Sequence, residues 1–145
     1  MPHLRVQFSA GVPFIDLFIG ISKPRQTALE AAKQSVPPPM QIRGLIDTGA
    51  SGTCIDPTVV NQLSLVPTGT TQIRTPSTGT GTHPCNQFDV SLILHHPTIS
   101  FTFQALPVVE SQLLNQGFHA LIGRDVLQNC LFVYDGPHQG YTLAF

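Results

Sequence analysis

The sequence predicts an all-β domain with two short helices, and three observations carry that prediction. Glycine and proline supply 12 and 13 of the 145 residues, punctuation that suits short strands joined by turns and breaks long helices. Apolar and polar residues alternate over 88–94 (Phe88, Val90, Leu92, Leu94) and over 99–105 (Ile99, Phe101, Phe103, Ala105), the period of a strand with one buried face. Hydrophobic residues make up 41% of the chain, enough for a packed core and too many for a disordered chain. The length fits one domain, taken as residues 1–145.

The elements follow in order. Residues 4–8 alternate and read as a strand, and 14–21 (FIDLFIGI) as a second. Residues 24–40 break the pattern with an ALEAAK stretch and a Pro-Pro-Pro run; they read as a mobile surface excursion with one or two helical turns, ending in an extended arm. Residues 41–46 (QIRGLI) read as a buried strand. Asp56 is placed to cap a helix whose first position is Pro57, with Val59, Val60 and Leu63 on one face. Residues 70–94 read as a long hairpin with arms TTQIRT and NQFDVSLIL and a small, polar tip over 76–82. The His95-His96-Pro97-Thr98 turn leads to the next strand, which runs on through 106–110. Residues 120–129 read as a strand, a glycine and the second short helix; residues 131–145 read as a closing hairpin turned at Gly136-Pro137.

Charge and cysteine usage exclude several function classes. Seven Lys plus Arg against eight Asp plus Glu give a formal net charge of −1, with no basic stripe to grip a nucleic-acid backbone. No run of about 18 apolar residues exists to span a membrane, and Asp16 interrupts the only early apolar stretch, so neither a membrane segment nor a signal peptide is expected. The three cysteines, Cys54, Cys85 and Cys130, form no C-x-x-C pair, which points to a reducing, cytoplasmic setting.

The sharpest local signal is Leu45-Ile46-Asp47-Thr48-Gly49-Ala50. An ionisable carboxylate ends an apolar strand and enters a tight turn of small residues. Those residues alone fit either an ordinary Asx-type turn or a carboxylate placed for chemistry. A second segment, Ala120-Leu121-Ile122-Gly123-Arg124-Asp125, joins apolar residues to a helix start through a glycine, which would let the backbone pass close behind the Asp47 turn.

Together, LIDTGA at 45–50, TPSTGTGT at 75–82 and ALIGRD at 120–125 resemble, in order and spacing, the retropepsin family of aspartic proteases over residues 41–145. The resemblance implies a closed, barrel-like fold and peptide-bond hydrolysis without a cofactor or metal. It implies that Asp47 is catalytic and that Thr48 braces it by a hydroxyl–backbone exchange across a dimer. Gly49 would donate its N–H to the carboxylate, Ala50 would complete the active turn, and Gly123 would pack beneath it. The hairpin tip, Ser77, Thr78, Gly79, Thr80 and Gly81, would be a flap closing over an extended peptide.

The chemistry needs two carboxylates sharing a proton about a water, one as base and one polarising the scissile carbonyl. This chain has one Asp-Thr-Gly, so the second carboxylate is expected from a second copy in a two-fold homodimer. The competing reading is a retropepsin-fold dimer that binds or scaffolds peptides with little turnover.

The chain also departs from the family pattern. Ala50 replaces the Ser or Thr of two-lobed pepsin-like enzymes, removing one hydrogen bond to the ionised carboxylate and predicting a less acidic working pH. Ser51 replaces the acid that pairs with the arginine of many viral enzymes, which leaves the partner of Arg124 open. The C-terminal hairpin is longer than in viral enzymes and is similar to that of cellular and bacterial members, so dimerisation by interleaved termini is not expected. The flap carries no Tyr, and the 24–40 excursion is additional.

Other signals are weaker. His83-Pro84-Cys85 and His95-His96 match no closed zinc spacing. Cys54 reads as a small buried thiol beside the active turn rather than a nucleophile. Gly49-Ala50-Ser51-Gly52 is not a nucleophile elbow, and Gly79-Thr80-Gly81 lacks the third glycine or lysine of a nucleotide loop.

Overall fold

Ten strands and three short helices build two sheets in a computed structural model that describes residues 1–74, 79 and 81–145. The strands are β1 (His3–Gln7), β2 (Phe14–Ile21), β3 (Met40–Ile46), β4 (Cys54–Ile55), β5 (Gly69–Ile73), β6 (His83–Leu94), β7 (Phe101–Glu110), β8 (Ala120–Ile122), β9 (Leu131–Asp135) and β10 (Gly140–Ala144). The helices are α1 (Lys23–Ala31), α2 (Pro57–Gln62) and α3 (Arg124–Leu127), with a 3-10 turn at Leu114–Gln116. Among the described residues no helix is long and apolar enough to cross a membrane.

The larger sheet runs β2-β3-β8-β4-β7-β6-β5, and β2 also pairs with β6. That extra pairing closes six strands into a barrel and leaves β5 as a flange on β6. The inward side chains of β6 are Phe88, Val90, Leu92 and Leu94, all buried, as the alternation predicts. They meet Leu17, Ile19, Ile42, Ile55, Val59 and Ile122 in one core. Full burial of each such aliphatic side chain is worth about 1.5–3 kcal/mol before entropy is counted.

The smaller sheet, β1-β10-β9, is made from both ends of one chain: β1 pairs with β10, and β10 with β9. It is fastened to the barrel by the buried Tyr141, whose hydroxyl donates to the Phe14 carbonyl at 2.7 Å.

Two expectations are corrected. The 24–40 excursion has the expected helical turns and extended arm, but the helix is a full element of nine residues. Ser22 caps α1 by accepting the Arg25 N–H, Pro24 lies in the first turn, and Leu29 drives the nine-residue helix into the core. The fold therefore has a third helix beyond the two expected. Along β7 the alternation does not run unbroken through 99–105. A register shift between Val90 and Leu92 inserts an extra β7 residue, so burial passes from Phe103 to Leu106 and Val108 while Ala105 faces solvent. Ile99 lies before the strand and is exposed.

Candidate active site

Strand β8 is the key to the site. It lies between β3, to which it is parallel, and β4, to which it is antiparallel. The chain leaving β3 at Ile46 must therefore arch over the end of β8 before descending as β4, and the arch is residues 47–53, Asp-Thr-Gly-Ala-Ser-Gly-Thr. The parallel register sets Leu45 beside Leu121 and Ile46 beside Ile122, so the early and late motifs become neighbours.

The arch hangs from residues 122–125. The Asp47 N–H donates to the Ile122 carbonyl at 3.0 Å, and the Arg124 N–H donates to the Ala50 carbonyl at 2.9 Å. The Arg124 guanidinium donates to the carbonyls of both Thr48 and Gly49 at 3.0 Å, which supplies the partner left open by Ser51: backbone, not a carboxylate. Asp125 grips the far end of the arch, accepting the Thr53 hydroxyl at 2.7 Å and the Thr53 N–H at 2.9 Å. The Thr53 hydroxyl oxygen in turn accepts the Gly123 N–H at 3.2 Å.

Within this frame Asp47 is half-buried, and its Oδ1 accepts the Gly49 N–H at 2.8 Å, the bond expected of Gly49. Thr48 and Gly49 are exposed and Ala50 is half-buried at the same rim. Gly123 is buried directly beneath, as expected. Of the expected flap residues, Ser77, Thr78 and Thr80 lie outside the described residues. Gly79 has a φ of +60°, and Gly81 is exposed. The base of that hairpin is present, with Ile73 paired to His83 and Thr71 to Cys85.

Strand alternation adds a wall to the site. Leu45, Leu121, Cys54 and Val109 form a half-buried row across β3, β8, β4 and β7, on the face opposite the buried Ile46, Ile122 and Ile55. Asp47, two residues beyond Leu45, continues that face. The Cys54 thiol is pushed up to about 11, first by burial and then by Cys85, Asp125 and Asp47 nearby. At neutral pH it is a thiol, an apolar member of the wall rather than a nucleophile.

Thr53 was not singled out from sequence, and Asp125 was named only as part of the late motif, without a partner. Their bond spans 72 positions, and nothing local to either residue announces it. Asp56 acts in structure: buried, it caps α2 through Thr58 and accepts the N–H groups of Leu113 and Leu114 at 2.8 and 2.7 Å.

A closed six-stranded barrel carrying an Asp-Thr-Gly arch straddled over a Gly-Arg-Asp strand end is a retropepsin-like aspartic protease fold. The retroviral aspartyl protease family model matches residues 12–132, and the chain belongs to that family. In structure the chain is similar to a retropepsin-like aspartic protease from Rickettsia conorii, with TM-score 0.64 and 16% identity over 99% of this chain and 90% of that one. It is also similar to EIAV protease complexed with the inhibitor HBY-793, with TM-score 0.44 and 16% identity over 81% of this chain and 86% of that one. A third similar structure is the retroviral protease-like domain of Ddi1 from Leishmania major, with TM-score 0.41 and 14% identity over 86% and 82%. No curated protein matches the chain in sequence.

Proposed function

We propose that residues 1–145 act as one domain that dimerises about a two-fold axis and hydrolyses peptide bonds, with Asp47 of each copy supplying one of two carboxylates. The supporting observation is the state of the acids at the arch. Asp47 stands at the rim with a single backbone donor on Oδ1, whereas Asp125, the acid of the second motif, has both oxygens engaged by Thr53 and the Val126 N–H. Asp125 is thus spent on holding the arch. The second carboxylate comes from the twin Asp47, and the pair shares one proton because two like charges at that separation do not both ionise. One carboxylate takes a proton from water while the protonated one polarises the scissile carbonyl. Thr48 and Gly49 hold the pair, and Ala50 and Gly123 complete the turn and its bed. The hairpin that joins β5 to β6 covers an extended substrate, and the apolar row beside Asp47 favours apolar side chains next to the cleaved bond.

The outer edge of β9 supports the same reading of the dimer. Its Leu131, Val133 and Tyr134 are 57%, 48% and 58% exposed, and nothing charged or proline interrupts Leu131–Tyr134. An unguarded apolar edge is a template for another strand. In this sheet β10 is paired on both sides, so a twin can pair with β1 or with β9, and β1 carries the exposed Arg5 where β9 is apolar.

The test is Asp47→Asn. Cleavage of a peptide library should fall by about 10²–10⁴-fold while the protein remains folded and dimeric. Equal cleavage by mutant and wild type overturns the assignment of Asp47. Peptide binding by wild type without cleavage at any pH supports the binding-module alternative instead.

A further inference from the structure

A cavity of about 310 Å³ lies between α1, the arm that returns from it, and the end of α2. None of its lining residues belongs to the Asp47 arch or the apolar row beside it. Its floor is apolar: Ile21, Leu29 and Leu63 are each at least nine-tenths buried, and Pro37 closes one side. Arg25, in the first turn of α1, lines the cavity together with Leu29, which lies one turn further along the same helix face. Ser35 and Ser64 also line it.

The segment around this cavity carries a basic excess. Lys23, Arg25 and Lys33 are three of the chain's seven Lys and Arg, and the one acid among residues 22–40, Glu30, accepts from Gln26. Among the described residues the only ion pair is His138 with Asp135, and no acceptor takes a hydrogen bond from the Arg25 guanidinium. A small apolar basin, one free guanidinium at its lip and two serines in its lining describe a site for an anion with a short hydrocarbon body.

We propose that this cavity binds a small amphipathic carboxylate. Its anion sits on Arg25 with Ser35 and Ser64 as further donors, and its tail lies on Ile21, Leu29 and Leu63. The proposal does not depend on proteolysis, since the site and the Asp47 arch share no residue.

The probes are octanoate, octanol, octylamine and acetate, titrated into the full chain and followed by amide and methyl resonances. Octanoate is expected to shift Ile21, Leu29, Ser35 and Leu63 and to bind at least tenfold more tightly than octanol or octylamine, with acetate not binding. Arg25→Gln should bring octanoate down to the affinity of octanol. Ser35→Trp, a surface change that fills the mouth, should block octanoate in a chain whose dispersed spectrum shows it folded. Equal binding of octanoate and octanol, octanoate affinity unchanged in Arg25→Gln or Ser35→Trp, or shifts confined to another part of the protein would each overturn the proposal.

Discussion

Gly123 lies so close against Gly52 that a Cβ at position 123 would stand 2.5 Å from the Gly52 carbonyl oxygen and 2.6 Å from its carbon. The contact is backbone against backbone, so no side chain can swing aside. It exists because β3 and β4 flank β8 and the arch joining them crosses the end of β8. Gly123→Ala is expected to lower stability by about 3 kcal/mol in urea unfolding. At Gly52 an added Cβ meets nothing nearer than Asp125 Oδ2 at 3.9 Å, so Gly52→Ala should cost less than about 0.5 kcal/mol. Equal costs for the two would show that the crossing is looser than described.

Asp56 should make stability depend on acid. Burial alone would raise its carboxyl, but the N–H groups of Thr58, Leu113 and Leu114 and the Thr58 hydroxyl outweigh burial and bring it from an ordinary 3.8 to about 2. The folded value lies below the unfolded one. The stabilisation is therefore fully present above the unfolded value and is lost as pH falls through the folded one. The stability gap between wild type and Asp56→Asn is expected to shrink by about 1–2 kcal/mol between about pH 5 and about pH 2. A gap that stays constant over that range would contradict the account.

The end of α1 carries strain that a smaller residue should relieve. Lys33 adopts φ +55° so that its N–H reaches the Glu30 carbonyl and the Gln34 N–H reaches the Leu29 carbonyl, an arrangement that glycine enters freely. Lys33→Gly is expected to raise stability by about 1 kcal/mol, read from the denaturation midpoint. Destabilisation would mean that the lysine side chain contributes more than its backbone costs.

The β9 edge makes the proposed dimer testable apart from the chemistry. Val133→Lys puts a charge at the centre of the exposed edge. Sedimentation should then show the mass dropping toward the 15.7 kDa of one chain. Peptidase activity should fall with it and recover as protein concentration rises. A mutant that stays dimeric would place the seam elsewhere.

Much of the fold was legible wherever one residue's neighbours in sequence decide its state. The alternation of Phe88, Val90, Leu92 and Leu94 became the inward face of β6, and Asp56 followed by Pro57 started α2 as read. At 24–40 the helical turns and the extended arm were legible, but the full extent of α1 was not, because the signal that ends a helix is usually glycine. Lys33 takes the left-handed conformation without being one, and Leu29 belongs to a core contributed by distant strands. The smooth pattern over 99–105 misled because a register shift is a property of two paired strands, not of either sequence.

The sequence alone determined the strand and turn types and singled out Asp47 as the candidate acid, because burial periodicity and turn chemistry act over a few neighbouring residues. Only the tertiary structure decided that β8 slots between β3 and β4. That placement hangs the Asp47 arch on Arg124 and Asp125, and the return of the arm from α1 past the end of α2 forms the cavity beside those helices. Strand pairing over more than seventy residues is chosen by the packing of the whole barrel, and no local pattern encodes it.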